Sequence, residues 1–292
     1  MREDILEEAS LLLLRHGFIV KTLKGAFDLV ARDAERIILL KVLEDANSIS
    51  EEQADEIMKI AACLRVPLLI VANKAGSPLE DNIIYSRCGI YTLNPATFRR
   101  CIEDKLPIIR KSKAGLTAKI NSQKLREERI NLGISINELS KKLGVSRSMA
   151  QKYEAGNSEI TLAKAAKMYK LFGESVFEKE NILKGIEIQY QSGRSVLARK
   201  YSALGFTAFE TKKVPFDLIA KKERNVILTK VGDRPGPVIS SLSKLIGAGR
   251  LAIFEKEKPK DMPALTKKEF LEFEESAELL KFIREFEEEH EN

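Results

Sequence analysis

Two stretches of the chain decide how it is read: AFDLVARDAERIILLKV at 26–42 and PFDLIAKKERNVILTKV at 215–231. Each opens on Phe-Asp-Leu, sets a lysine thirteen residues after the aspartate, and fills the interval with a charged turn and an apolar run. Asp28 is thereby matched with Lys41, and Asp217 with Lys230. The apolar, β-branched runs predict neighbouring strands, with RDAER as a hairpin turn in the first stretch.

Outward from these stretches the order of elements repeats. Residues 3–15 carry Ile5, Leu6, Ala9, Leu12 and Leu13 at helical spacing, and HGF closes the helix with Gly17 as its cap. Strands are expected at about 18–22, 26–32 and 36–43. Ser50 caps a helix running to about Leu64. VPLLIVA reads as a buried strand, and GIYTLNP as a short strand with a helix starting near Pro95. In the second half, SVLARKYSALGF matches ASLLLLRHGF. Strands follow at about 206–211, 215–221 and 225–231, then a helix at 238–247 and the strand RLAIFE. LTKKEFLEF corresponds to LNPATFRRC, with Leu93/Phe98 and Leu265/Phe270 equally spaced. A repeat of this length is a duplicated domain rather than a solenoid. The expected division is an α/β domain over 1–106, a basic linker or arm over 107–121, an all-helical block over 122–182, and a second, shorter α/β domain over 190–292.

The net charge of +6 is unevenly spread. From Lys105 to Lys170 there are fifteen Lys/Arg against five Asp/Glu, which points to the middle of the chain for a polyanionic partner. The stretch from Glu269 onward holds ten glutamates and two basic residues. Its LEFEESAELLKFIREFEEE has Leu, Phe and Ile at helical spacing, fit to pack on its own domain or to bind a partner. No apolar run approaches membrane-spanning length, and MREDILEEAS is unlike a signal peptide, so a cytoplasmic protein is expected. Cys63, Cys88 and Cys101 form no metal-ligand spacing and read as reduced thiols. With only His16 and His290, a histidine-rich metal site has little to build on.

The middle block, LREERINLGISINELSKKLGVSRSMAQKYEAGNSEITLAKAAKMYKLFG at 125–173, reads as four short helices. Ser135 with Glu138 makes a capping box for the second, which ends at Leu143-Gly144. Ser146 caps the third and Thr161 the fourth. Gly144 permits the tight turn between helices two and three, with Leu139, Val145 and Ala150 packing them together.

This block resembles the Cro/C1-type helix-turn-helix family through Leu125-Arg126, Leu139, Leu143-Gly144-Val145-Ser146, Tyr153-Glu154, Gly156 and Leu171-Phe172-Gly173. The resemblance implies that helix three enters the major groove of double-stranded DNA. Arg147 and Ser148 on its first turn, and Gln151 and Lys152 one turn later, are then the candidate base contacts, although either of the latter two could meet a phosphate instead. Ser135, Asn137, Ser146 and Asn157 stand at helix starts or in the following loop, where phosphate contacts form. Tyr153 is expected in the core. Arg110, Lys111, Lys113 and Lys119 in the linker could follow the DNA backbone or simply be a solvated arm.

The flanking copies resemble the restriction-endonuclease-like PD-(D/E)xK fold, in which an aspartate and a second carboxylate two residues before a lysine hold Mg²⁺. Here the second carboxylate's positions are Leu39 and Leu228, and Phe27 and Phe216 stand where the proline is usual. Glu7, Glu8 or Glu44 could substitute in the first copy; the opening helix of the second offers nothing comparable. Asp28, Lys41, Asp217 and Lys230 therefore read as vestigial ion pairs, with no metal and no cofactor called for. Most of the chain also resembles an archaeal family of helix-turn-helix transcriptional regulators. The expectation is a homodimeric, sequence-specific DNA-binding regulator, not an enzyme, whose flanking copies serve as scaffold, dimerisation or sensing modules. An Mg²⁺-dependent endonuclease targeted by the helix-turn-helix, or an antitoxin-like adaptor, are the rival readings.

Overall fold

Ile5, Ala9 and Leu13 form one buried stripe, which is why the first segment coils into α1 (Arg2–Arg15), ended by Gly17 at φ +81°. Three antiparallel strands follow: β1 (Ile19–Thr22), β2 (Leu29–Arg32) and β3 (Ile37–Asp45). The turn between β2 and β3 is closed by Asp33, whose carboxylate accepts the backbone N–H groups of Glu35 and Arg36. Ser50 caps α2 (Glu51–Leu64) in a capping box with Gln53, and Arg65 in the left-handed region (φ 57°) stops it. In the computed structural model, residues 1–113, 115–156 and 158–290 are described.

The chain folds into two compact units. One takes 1–42, 49–69 and 183 onward; the other takes 43–48 and 70–182. This division does not follow the expected boundary at 106, because the chain changes unit within β3 and again within β4 (Leu68–Ala75).

In the second unit, β4 pairs with the two-residue β5 (Ser77–Pro78). An antiparallel pair, β6 (Ile83–Arg87) and β7 (Ile90–Leu93), leads into α3 (Pro95–Ile102), capped by Asn94. The expected linker over 107–121 is instead a hairpin of β8 (Ile109–Ser112) and β9 (Gly115–Ala118), with β8 parallel to β6. Thr117, Ala118 and Ile120 are buried, and Arg110 and Lys119 form ion pairs with Glu159 and Glu180. Those carboxylates lie some 49 and 61 residues on, so a local reading saw only unpaired positive charge.

The next block holds α4 (Ser122–Asn131), α5 (Ile136–Leu143), α6 (Arg147–Glu154), the short β10 (Ile160–Thr161) and α7 (Leu162–Phe172). The four helices stand where the sequence put them. The block is not all-helical, however, since β10 pairs antiparallel with β9. Its core joins Leu125, Leu139, Leu143, Ala150, Tyr153, Ile160 and Met168 to Ala118 and Phe177, with Val145 packed against it.

The second copy returns to the first unit with α8 (Val196–Ala203), the antiparallel strands β11 (Thr207–Glu210), β12 (Leu218–Lys222) and β13 (Asn225–Val231), then α9 (Pro237–Ile246). β14 (Gly249–Phe254) and β15 (Ala264–Thr266) add in parallel. The strand order β11-β12-β13-β14-β15 repeats β1-β2-β3-β4-β7. Leu29 lies opposite Leu40, and Leu218 opposite Thr229, the same pairing shifted along the chain. The acidic tail divides into α10 (Lys267–Glu272) and α11 (Ser276–His290), broken at Phe273. Leu279 and Ile283 of α11 sit in the core with Tyr201 and Phe270, so this helix packs on its own domain.

Within the first unit the copies pack reciprocally. Helix α2 of the first lies on β12 of the second, and the matching α9 lies on β2. The loops before the two Phe-Asp-Leu motifs meet, Ala26 N–H donating to the Lys213 carbonyl at 2.7 Å.

Candidate nucleic-acid interface

The turn between α5 and α6 is built from local chemistry. Ser135 and Glu138 cap α5 reciprocally, and Gly144 ends it at φ 66°. The Gly144 carbonyl accepts the Lys164 ammonium at 2.7 Å, and the Ser146 hydroxyl accepts Met149 N–H at 3.1 Å to start α6. At the far end of α6, Glu154 receives Arg129 twice, from Nε at 2.5 Å and Nη2 at 3.2 Å, while Arg129 Nη1 donates to the Ile134 carbonyl. This bidentate clamp, with side chains only 14 % and 11 % exposed, ties α6 to α4 and to the start of α5. Its partners lie 25 residues apart, too far for local spacing in the sequence to reveal the pair.

Ala150 and Tyr153 face the core, so α6 turns Arg147, Ser148, Gln151 and Lys152 to solvent. Ser135, Asn137 and Ser146 are exposed at the starts of α5 and α6. Asn157 lies outside the described residues. Of the four linker cations, Lys111 and Lys113 are exposed near the hairpin tip, while Arg110 and Lys119 are engaged internally. Lys141 and Lys142 are exposed on α5.

The Asp–Lys pairs sit where the repeat put them, at the foot of β2 and β12 and on β3 and β13. Asp28 is 1 % exposed: its Oδ1 accepts Arg2 Nη2 at 2.5 Å, and its Oδ2 accepts Val42 N–H at 2.8 Å and lies 3.3 Å from Lys41 Nζ. Arg2, from α1, thus stands beside the carboxylate, whereas the expected substitutes Glu7, Glu8 and Glu44 are exposed. Asp217 accepts the matching bonds from Lys230 Nζ (3.1 Å) and Val231 N–H (2.7 Å), with no counterpart of Arg2 among the described residues, and is 38 % exposed. Leu39 and Leu228, at the positions where the resemblance places a second carboxylate, are fully buried. Among the described residues no group of three His, Cys, Asp or Glu side chains could hold a metal ion. A cationic partner on each carboxylate and an apolar side chain in place of the second give a hard cation little to bind.

The cysteines are free, and burial pushes the Cys63 and Cys101 thiols up to about 12. No helix among the described residues is long and apolar enough to cross a membrane.

Residues 2–107 match the PD-(D/E)XK superfamily domain, and residues 125–179 match the helix-turn-helix domain. A protein of Methanocaldococcus jannaschii, named "Putative HTH-type transcriptional regulatory protein", is 30 % identical, the alignment covering 97 % of each chain. The chain belongs to this family. Members of the HTH-type regulator family from Pyrococcus abyssi (30 % identical, 98 % of each chain covered) and Thermococcus gammatolerans (29 %; 97 % of this chain and 96 % of the relative) align just as fully. No solved structure matches the chain.

Proposed function

We propose that the chain is a sequence-specific, double-stranded-DNA-binding transcriptional regulator and not an enzyme. The observation that carries this reading is α6: buried on Ala150 and Tyr153, clamped by Arg129–Glu154, and exposing Arg147, Ser148, Gln151 and Lys152. A helix so presented enters the major groove with its N-terminal end towards the bases. Arg147 can then take a guanine edge with two parallel hydrogen bonds. Ser135, Asn137, Ser146 and Asn157 serve as phosphate contacts that set register. Each chain carries one such helix, so a homodimer spans two half-sites. The nuclease-like copies act as scaffold, dimerisation or sensing modules, and no cofactor is required.

Selection of duplexes from a random pool, followed by titration of the selected site, tests the reading. An enriched motif whose preference relaxes at one position in Arg147→Ala supports it. Failure to enrich any motif, with equal retention of all duplexes, rejects it. The endonuclease reading is disfavoured by the buried Leu39 and Leu228.

A further inference from the structure

Four cationic side chains, Arg224, Lys244, Arg250 and Arg284, line one cavity of about 300 Å³ in the second copy, together with, among the described residues, a single carboxylate, Glu287. The walls come from the starts of β13 and β14, the last turn of α9 and one face of α11. Ile227 and Ile283, both buried, supply an apolar lining.

Arg250 is only 9 % exposed, yet its one ion pair among the described residues, Nε to Glu287 Oε1, is 3.8 Å long. A guanidinium carries five N–H donors, and burying it without close partners is costly. Arg284 reaches Asn225 Oδ1 at 3.3 Å, a neutral acceptor. Arg224, Arg250 and Arg284 therefore outnumber the one carboxylate among the described lining residues, Glu287, in a concave, partly apolar space.

We infer that this cavity binds a phosphorylated small molecule, its phosphate on Arg250 and Arg284 and its apolar or aromatic body against Ile227 and Ile283. The dimensions select the class: a cavity of this size lies at the lower end of small-molecule sites and cannot admit a nucleic-acid duplex. In a regulator such a site is an effector site. The inference is independent of DNA binding by α6, and so is its test.

The test is calorimetric titration and thermal unfolding of the full chain with adenosine monophosphate as the probe and adenosine as the uncharged control. The expected result is one nucleotide per chain, a Tm rise of about 2–4 °C at saturating excess, and no effect of adenosine. Arg224 and Arg284 are exposed, so the double variant Arg224→Gln/Arg284→Gln leaves the core intact; it is expected to weaken binding by roughly tenfold or more. No binding of the nucleotide at millimolar concentration overturns the proposal. So do equal binding of adenosine, undiminished binding by the double variant, and a double variant that loses affinity for duplex DNA while the nucleotide binds neither protein.

Discussion

Arg32 on β2 of the first copy donates Nη1 to the Leu245 carbonyl near the end of α9 in the second, at 2.9 Å. The equivalent residue of the second copy, Lys221 on β12, lines one cavity with Cys63 and Arg65 at the end of α2, where burial pulls its ammonium pKa down. A charged hydrogen bond of this kind contributes about 1.5–3 kcal/mol. Arg32→Ala is therefore expected to lower stability by about 1–2 kcal/mol, part-buried as the bond is, measured as a shift in the urea midpoint at unchanged slope. An unchanged midpoint would show that the copies do not depend on this tie.

Gly25 is required where the two loops meet. A Cβ built on it would lie 1.9 Å from the Lys213 carbonyl oxygen, a backbone atom that cannot swing away. Gly25→Ala should cost about 1–3 kcal/mol by forcing the loops apart. Full wild-type stability in that variant, by denaturation, would mean that the loops do not touch in solution.

Asp28 and Asp217 occupy equivalent positions but differ in burial, 1 % against 38 % side-chain exposure. Asp28→Ala leaves the largely buried Lys41 without its carboxylate and the Val42 N–H without its acceptor, and a loss of about 3 kcal/mol is expected. Asp217→Ala should cost under about 1 kcal/mol, its partner being hydrated. In plasmid assays with Mg²⁺ or Mn²⁺ the wild-type chain is expected to leave the substrate uncut. Cleavage that disappears in Asp28→Ala would restore the nuclease reading.

Lys152 and Arg147 separate phosphate contact from base reading. As a phosphate contact, Lys152 on replacement by alanine should weaken all sequences alike and reduce the salt slope by about one unit. Arg147→Ala should instead relax one position, with a discrimination loss of about 1–3 kcal/mol. Titrations at several salt concentrations, on a selected and a scrambled duplex, distinguish the two. Sequence-blind losses from both would argue against base reading by α6.

Glu180 holds part of the second unit together, accepting Tyr91 Oη at 2.7 Å and Lys119 Nζ at 3.2 Å. Burial works to raise its pKa, but the hydrogen bonds from Tyr91 and Lys119 and the charges of Lys119 and Arg110 outweigh it and hold the carboxyl below its ordinary value. Such a group lends stability that is full above the ordinary carboxyl pKa and is lost as pH falls through the depressed one. The stability deficit of Lys119→Met relative to wild type should thus be present at neutral pH and shrink below the usual glutamate range. A deficit constant down to strongly acidic pH would remove Glu180 as its source.

The helix-turn-helix could be read residue by residue because its determinants are local. Ser135 and Glu138 cap α5 three positions apart, Gly144 ends it, and Ser146 accepts from Met149 three positions on, each in the role assigned to it. The 107–121 segment could not, since Arg110 and Lys119 looked like a free basic arm until Glu159 and Glu180 were brought beside them. The same holds for Asp28, whose guanidinium partner arrives from the second residue of the chain.

By itself, the sequence determined the duplication, the four helices of the central block, and the loss of the second carboxylate in each copy, because spacing, caps and residue identity act over short range. Tertiary structure alone decided which copy elements pack on each other, what neutralises the buried Asp28, and where four cations converge around Glu287. Those outcomes depend on groups far apart in the chain, and burial makes their pairing obligatory only once the fold has removed water from around them.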